Sequence, residues 1–182
     1  MGRDKWEFIN NEILSSSIFA GLARGRVYKQ GISEDDKVKF KNTLKHKLSK
    51  YGKSYKTEIK DTKHTENIER FSNEISIKFG KILKGNRFRI GTAQKILNLY
   101  LKYLWVLGRI LEPPHCPFDS IIITELGLDS EVKFTKFDSV KDYKRLVTMA
   151  VQKAKDEKLS VAQWELKLWN QKVVAENSNQ KV

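Results

Sequence analysis

Lys95 and Asp119 are the charged residues best placed to do chemistry, because they flank the most apolar part of the chain. Lys95 lies near the start of the segment GTAQKILNLYLKYLWVLGRIL, which begins at Gly91, and Asp119 precedes the isoleucine run 121–123. Burying an unpaired charge is costly, so two charges beside such a segment indicate a functional centre. A desolvated amine can act as a nucleophile, and a carboxylate can stabilise developing positive charge.

Both ends of this segment also have structural interpretations. Asp119 follows Pro117, where its side chain could accept hydrogen bonds from the first amides of a helix. Gln94, Asn98 and Lys102 recur every four residues and form a polar seam on an otherwise apolar helix. A seam of this kind must face water, partner side chains or a ligand, and the spacing alone leaves these alternatives open.

The chain is strongly basic. It carries 35 Lys and Arg against 22 Asp and Glu, a net charge of +13 in 182 residues. Such an excess attracts polyanions, and nucleic acid is the commonest of them. We therefore expect a nucleic-acid partner, with DNA as the expected form.

Two groups of basic residues are candidates for that contact. Lys37, Lys41 and Lys45 recur every four residues, and we expect them to line the helix side opposite Phe40, Leu44 and Leu48, where they could neutralise successive phosphates. The second group precedes the apolar helix, whose N-terminal amides and dipole favour an anion. It consists of Lys84, Arg87, Arg89 and the permissive Gly91.

Helical periodicity runs through almost the whole sequence. It predicts an all-α fold, with a single compact domain of six to eight helices around a buried central helix over residues 92–107. Ser33, Ser139 and Ser160 are each followed three residues later by Asp or Gln, which predicts three helix starts. Residues 1–182 form this one domain; the composition leaves open a semi-detached N-terminal subdomain over 1–60, and we expect residues 176–182 to be frayed.

Several classes of protein are disfavoured. Residues 1–11 are charged and polar, so we expect no signal peptide. The apolar run 96–111 contains Asn98, Lys102 and Arg109, so we expect no membrane span. We therefore expect a cytoplasmic protein. The single Cys116 excludes an internal disulfide, and with three histidines it makes a zinc site unexpected. No phosphate-binding or dinucleotide-binding glycine motif is present, and we expect no cofactor and no metal.

Residues 85–123 resemble the helix-hairpin-helix DNA glycosylase superfamily. The similarity rests on a glycine and a lysine that open an apolar helix, and on an aspartate that heads a later apolar segment. The matching residues are Gly91, Lys95 and Asn98, then Phe118, Asp119, Ile122 and Ile123. The resemblance implies that Lys95 is the amine that attacks the sugar of a flipped nucleotide and that Asp119 is the essential carboxylate.

The sequence also leaves non-glycosylase functions open. Arg109 and His115 have the Arg-x5-His spacing found in HEPN-type ribonucleases, although Pro113 and Pro114 stand between them. A helical protein–protein interaction module with an acidic partner is the non-enzymatic alternative. The sequence therefore predicts a basic helical nucleic-acid-binding protein with glycosylase-like features, and it leaves undecided whether the protein is an enzyme.

Overall fold

The central helix α4 spans Ile90–Val106, and most of its residues are buried on every side. The structure is a computed structural model that describes residues 2–23 and 26–179, with side chains described up to residue 172. Leu is the commonest residue of α4, with four occurrences, and together with Ala93, Gln94 and the two lysines it favours helix. The helix begins two residues before the position expected from the sequence and ends one residue earlier.

Six further α-helices surround α4 within the described residues, so the all-α prediction is confirmed. Two short 3-10 turns, Gly80–Ile82 and Lys84–Asn86, connect α3 to α4, and one isolated backbone bridge joins Tyr28 to Leu83. The surrounding helices are α1 (Arg3–Leu22), α2 (Glu34–Ser54), α3 (Asp61–Phe79), α5 (Ser120–Glu125), α6 (Val140–Asp156) and α7 (Val161–Asn179).

The predicted helix starts are present. Ser33 accepts from the amide of Asp36, and the Ser139 hydroxyl accepts from the first amides of α6. Ser160 and Gln163 form a reciprocal capping box before α7. These side chains satisfy amides that have no partner inside the helix.

The N-terminal helices share their core with α4. Gly21 of α1 lies so close to Ile96 that a Cβ there would stand 2.2 Å from the Ile96 Cγ1 atom. Helix α1 therefore packs directly on the central helix. Of the predicted tail 176–182, α7 includes residues up to Asn179, and residues 180–182 lie outside the described residues. None of the described helices has the length and apolar content that crossing a membrane would require.

A non-helical segment, residues 129–138, crosses the start of α4. The carbonyl oxygen of Phe134 would stand 1.8 Å from a Cβ at Gly91, and the Gly91 amide donates to the carbonyl of Phe137 at 3.2 Å. Only glycine permits this backbone approach, which explains why a glycine stands in the first turn of α4.

Gly91→Ala is expected to lower the free energy of unfolding by about 1–3 kcal/mol or more, because the new Cβ meets rigid backbone instead of a movable side chain. Urea denaturation followed by circular dichroism measures this change. Gly2→Ala is the matched control, since a Cβ there meets nothing within 4 Å and the expected change is within about 0.5 kcal/mol. Equal stabilities for the two variants would contradict the close approach.

Candidate functional site

Lys95 and Asp119 lie together in the folded protein. The Lys95 Nζ atom is 3.8 Å from Asp119 Oδ2, a distance that makes an ion pair but exceeds a hydrogen bond. Only 8% of the Lys95 side chain and 17% of the Asp119 side chain are exposed. The two residues that sequence reasoning singled out as a pair are therefore neighbours in a largely dry environment.

Asp119 has two roles at once. Its Oδ1 atom accepts from the amides of Ile121 and Ile122, at 2.9 and 3.2 Å, and so caps α5. Its Oδ2 atom faces Lys95. The capping interpretation is confirmed, and because the cap uses one oxygen, it fixes the direction in which the other oxygen points.

Gln94 determines where Asp119 arrives. Its amide nitrogen donates to the carbonyl of Phe118 at 2.7 Å, and its Oε1 atom accepts from the Phe118 amide at 3.1 Å. This two-point contact attaches the backbone of residue 118 to the first turns of α4. The next residue is Asp119, which is thereby held beside Lys95.

The rest of the polar seam faces protein partners. Asn98 donates to the carbonyl of Cys116 at 2.7 Å, and Lys102 forms an ion pair with Glu165 at 2.7 Å. Burial raises the pKa of Glu165, and the Lys102 charge opposes that rise. The sequence left water, partner side chains and a ligand open as partners of the seam. In the structure Lys102 faces a partner side chain, and Asn98 also donates to a backbone carbonyl.

Phe134 covers the Lys95 amine. The Nζ atom lies 4.3 Å from the centre of the Phe134 ring, in cation–π geometry. Beside this contact is a cavity of about 260 Å³, lined in part by Ser120, Ile123, Phe134 and Thr135. The candidate centre therefore adjoins an open volume, and Phe134 forms the wall between the amine and that volume.

The second basic group holds the segment 129–138 in place. Arg87 donates to Asp138 Oδ2 at 2.9 Å, and Arg89 donates to the carbonyl of Thr135 at 2.9 Å. Asp138 also accepts from the amide of Ile90 at 2.9 Å, so a carboxylate of the protein occupies the α4 N-terminus where a bound anion was expected. Lys84 remains exposed beside this contact.

The lysines of α2 border the apolar face instead of lying opposite it. Lys41 and Lys45 line an open groove together with Phe19 and Val38, and Lys37 pairs with Glu34. Steps of four residues advance only about 40° around a helix, so these lysines follow the adjacent core positions. The expected opposition to Phe40, Leu44 and Leu48 is therefore wrong, whereas the continuous line of charge is present.

Sequence reasoning missed a buried hydrogen-bond network around two histidines. Asn98 Oδ1 accepts from His64 Nε2 at 2.8 Å, and the Tyr55 hydroxyl donates to His64 Nδ1 at 2.6 Å. The Asn98 Nδ2 atom faces the Cys116 carbonyl, which can only accept, so the Asn98 Oδ1 atom must be the one that faces His64. The His64 ring therefore carries its proton on Nε2. One signal was available: His64 lies one turn before Ile68, on the buried face of α3.

His115 continues the network to the surface. Its Nε2 atom donates to Asp61, whose side chain is 60% exposed, and its Nδ1 atom accepts from the Tyr143 hydroxyl at 2.7 Å. The ring centres of His64 and His115 are 4.6 Å apart. Tyr143 is fully buried, so this Asp–His–Tyr series reaches the surface only through Asp61.

Burial lowers the pKa of both imidazoles below the ordinary value of 6.5. For His64 the pKa lies well below that value, and the neighbouring His115 lowers it further. For His115 the hydrogen bond and the charge of Asp61 oppose the effect of burial. Both rings are therefore neutral near pH 7.

The Arg-x5-His pair is separated in the fold. Arg109 lies against the ring of Trp6, whereas His115 lies between Asp61 and Tyr143.

Among the residues that the structure describes, no three His, Cys, Asp or Glu side chains form a group that could hold a metal ion.

Comparison of the chain with protein-family models, with curated proteins and with solved structures found no match. The resemblance to the helix-hairpin-helix glycosylases therefore stays a prediction from residues 85–123.

The buried histidines make stability depend on pH. Below the ordinary pKa the unfolded chain binds protons that the native state excludes, so the free energy of unfolding falls as the pH drops below about 6.5, by up to about 1.4 kcal/mol per pH unit for each imidazole. His64→Gln, which retains a donor and an acceptor, is expected to flatten this slope in denaturant titrations at pH 7 to 5.

His46→Gln is the control for this experiment, because His46 is the exposed histidine and its removal leaves the buried pair intact. Identical pH slopes for His64→Gln and the unmodified protein would show that the network does not exclude protons.

Proposed function

We propose that the protein binds DNA and that Lys95 and Asp119 form a centre of the DNA-glycosylase type. The observation that carries this proposal is the 3.8 Å approach of Lys95 Nζ to Asp119 Oδ2 inside a nearly closed site. A lysine early in one helix and an aspartate that caps a later helix are the two elements that the resemblance requires. The structural features around them are those of a held pair rather than of two unrelated surface charges.

The chemistry suits these two groups. Starting from the Lys95 ammonium, one proton leaves by way of the adjacent Asp119 carboxylate and goes to the departing base. The amine lone pair then forms a bond to C1′ of the sugar as the bond from C1′ to the base breaks. A second proton passes from nitrogen to the ring oxygen as the ring opens, and a protonated Schiff base between Lys95 and C1′ remains. Asp119 also stabilises positive charge on the sugar.

Access to the amine sets a condition on this mechanism. The nucleotide must be flipped out of the duplex, and its sugar must reach an atom that Phe134 now covers. The 260 Å³ cavity beside Phe134 is a volume that could receive it. Binding therefore requires a displacement of the segment 129–138.

The charge distribution favours phosphate contacts near this centre. Lys133 lines the cavity, and Lys84 and Lys136 are exposed near Thr135, the residue whose carbonyl Arg89 holds. We expect these lysines to contact the DNA backbone, with Lys37, Lys41 and Lys45 as a second surface. We assign Arg87 and Arg89 to holding the segment 129–138, since each guanidinium already donates to an oxygen of that segment.

Lys95→Met is expected to abolish the covalent adduct that borohydride traps with a duplex containing an abasic site. The methionine preserves most of the side-chain volume but has no amine to form the Schiff base. An abasic duplex is the suitable probe because it presents the reactive sugar without requiring knowledge of the target base. Gel electrophoresis of the trapped adduct measures the result.

Asp119→Asn provides the companion variant, since asparagine can still cap α5 but carries no charge. We expect it to slow trapping about 100-fold. Because it also leaves the buried Lys95 ammonium without its carboxylate partner, circular dichroism verifies that the variant is folded at the temperature of the assay. Lys141→Ala, at an exposed position of α6, is the control for adducts formed with surface lysines. Trapping that persists at full yield in Lys95→Met would overturn the proposed centre.

DNA binding is expected to weaken steeply with salt, because each phosphate contact releases counterions. Lys133→Ala/Lys136→Ala should reduce the slope of log K against log salt by about 1.8, that is, by about 0.9 for each lost contact. Lys153→Ala/Lys155→Ala, near the C-terminal end of α6, removes the same charge and should leave the slope nearly unchanged. Absence of duplex binding at low salt would instead favour the protein–protein interaction alternative.

A further inference from the structure

A second cavity, of about 310 Å³, lies where α1, α2 and the end of α4 meet. Tyr100 and Leu104 contribute to it from α4, and they are roughly 140° and 180° around that helix from Lys95. The cavity is therefore separated from the candidate glycosylase centre by the body of α4. Its polar and aromatic lining consists of Trp6, Asn10, Ser49, Lys53, Lys56, Tyr100 and Arg109.

The lining is cationic. Lys53, Lys56 and Arg109 contribute three positive charges, and the lining contains no carboxylate. Within the described part of the chain, none of these three side chains forms an ion pair with Asp or Glu, although many other lysines of the protein do so. Like charges gathered around one cavity repel each other, and a bound anion relieves that repulsion.

The position of Arg109 follows from the end of α4. Gly108 adopts a φ of 65°, its amide donates to Trp105, and the Arg109 amide donates to the carbonyl of Leu104 at 2.8 Å. This is the Schellman arrangement, in which glycine takes the left-handed conformation that ends a helix. It turns the chain back toward α1, where the Arg109 guanidinium lies 4.3 Å from the centre of the Trp6 ring.

Trp6 and Arg109, in cation–π contact, form one wall of the cavity. Aromatic faces and guanidinium planes are the surfaces on which unstacked nucleobases lie in nucleic-acid-binding proteins. Neutral hydrogen-bonding groups are present as well: Tyr100 donates to Asn10 at 3.0 Å, and burial raises the pKa of Tyr100 to about 12, so its hydroxyl stays protonated. A simple phosphate ion would use the lysines but not this wall.

We propose that this cavity binds a nucleoside phosphate, with the base against Trp6 and Arg109 and the phosphate against Lys53 and Lys56. The volume is at the lower end of the range for small-molecule sites, roughly 300–1,000 Å³, which suits one nucleotide unit. That unit is either a free nucleotide or one member of a single strand, because the two sources present the same chemistry. The proposal does not depend on Lys95 or Asp119.

Isothermal titration calorimetry with the four ribonucleoside 5′-monophosphates, inorganic phosphate and a short oligothymidylate tests this site. Lys53→Ala/Lys56→Ala is expected to weaken nucleotide binding at least about tenfold, and Trp6→Leu is expected to weaken nucleotide binding but not phosphate binding. Lys153→Ala/Lys155→Ala removes the same charge from α6 and should bind as the unmodified protein does. Because Lys53 and Lys56 are exposed, the double variant is expected to fold, which circular dichroism verifies.

The outcomes separate the possible sources. Monophosphates that bind as tightly as the oligonucleotide would identify a free nucleotide, and an oligonucleotide that binds much more tightly and competes with them would identify a strand. Inorganic phosphate that binds as tightly as the nucleotides, or nucleotide binding unchanged in Lys53→Ala/Lys56→Ala, would overturn the proposal. Lys95→Met should retain nucleotide binding, so the failure of either proposal can be recognised independently of the other.

Discussion

The two-point contact between the Gln94 side chain and the backbone of Phe118 is the interaction on which the candidate centre depends. A buried amide must satisfy both its donor and its acceptor, and here Phe118, at the end of the proline corner, supplies one partner for each, beside the contacts of Gln94 within α4. The contact fixes the corner against α4 with a defined register. Because Asp119 follows Phe118 and Lys95 follows Gln94, the distance between Asp119 and Lys95 is a consequence of hydrogen bonds between the residues that directly precede them.

The sequence was sufficient for the helices, and it singled out Lys95 and Asp119, which are neighbours in the structure, but it was insufficient for the contacts that bring them together. Periodicity and serine caps predicted the all-α fold, and apolar flanks with charge predicted that Lys95 and Asp119 matter. The partners of Gln94 and Asn98 could not be predicted, because they are backbone groups of a loop or come from distant helices, as His64 does. The α2 lysines were misplaced because a step of four residues was treated as a separate face, when it stays close to the neighbouring core positions.

The same constraint explains the histidine network. Once Asn98 is buried inside α4, its oxygen needs a donor and its nitrogen needs an acceptor, and the neutral His64 ring and the Cys116 carbonyl supply them. Each further polar group brought into the core needs partners in turn, which extends the series through Tyr143 and His115 to Asp61 at the surface. The core is therefore organised by hydrogen-bond completion as much as by apolar packing.

Asp138 has a consequence for how an anion could approach α4. This carboxylate joins the Ile90 amide to the Arg87 guanidinium, and so it stands as an internal competitor for any phosphate directed at the helix N-terminus. A phosphate that takes its place removes one of the anchors of the segment that carries Phe134. Arrival of the backbone phosphate and uncovering of the Lys95 amine would then be linked equilibria, each favouring the other by the same free energy.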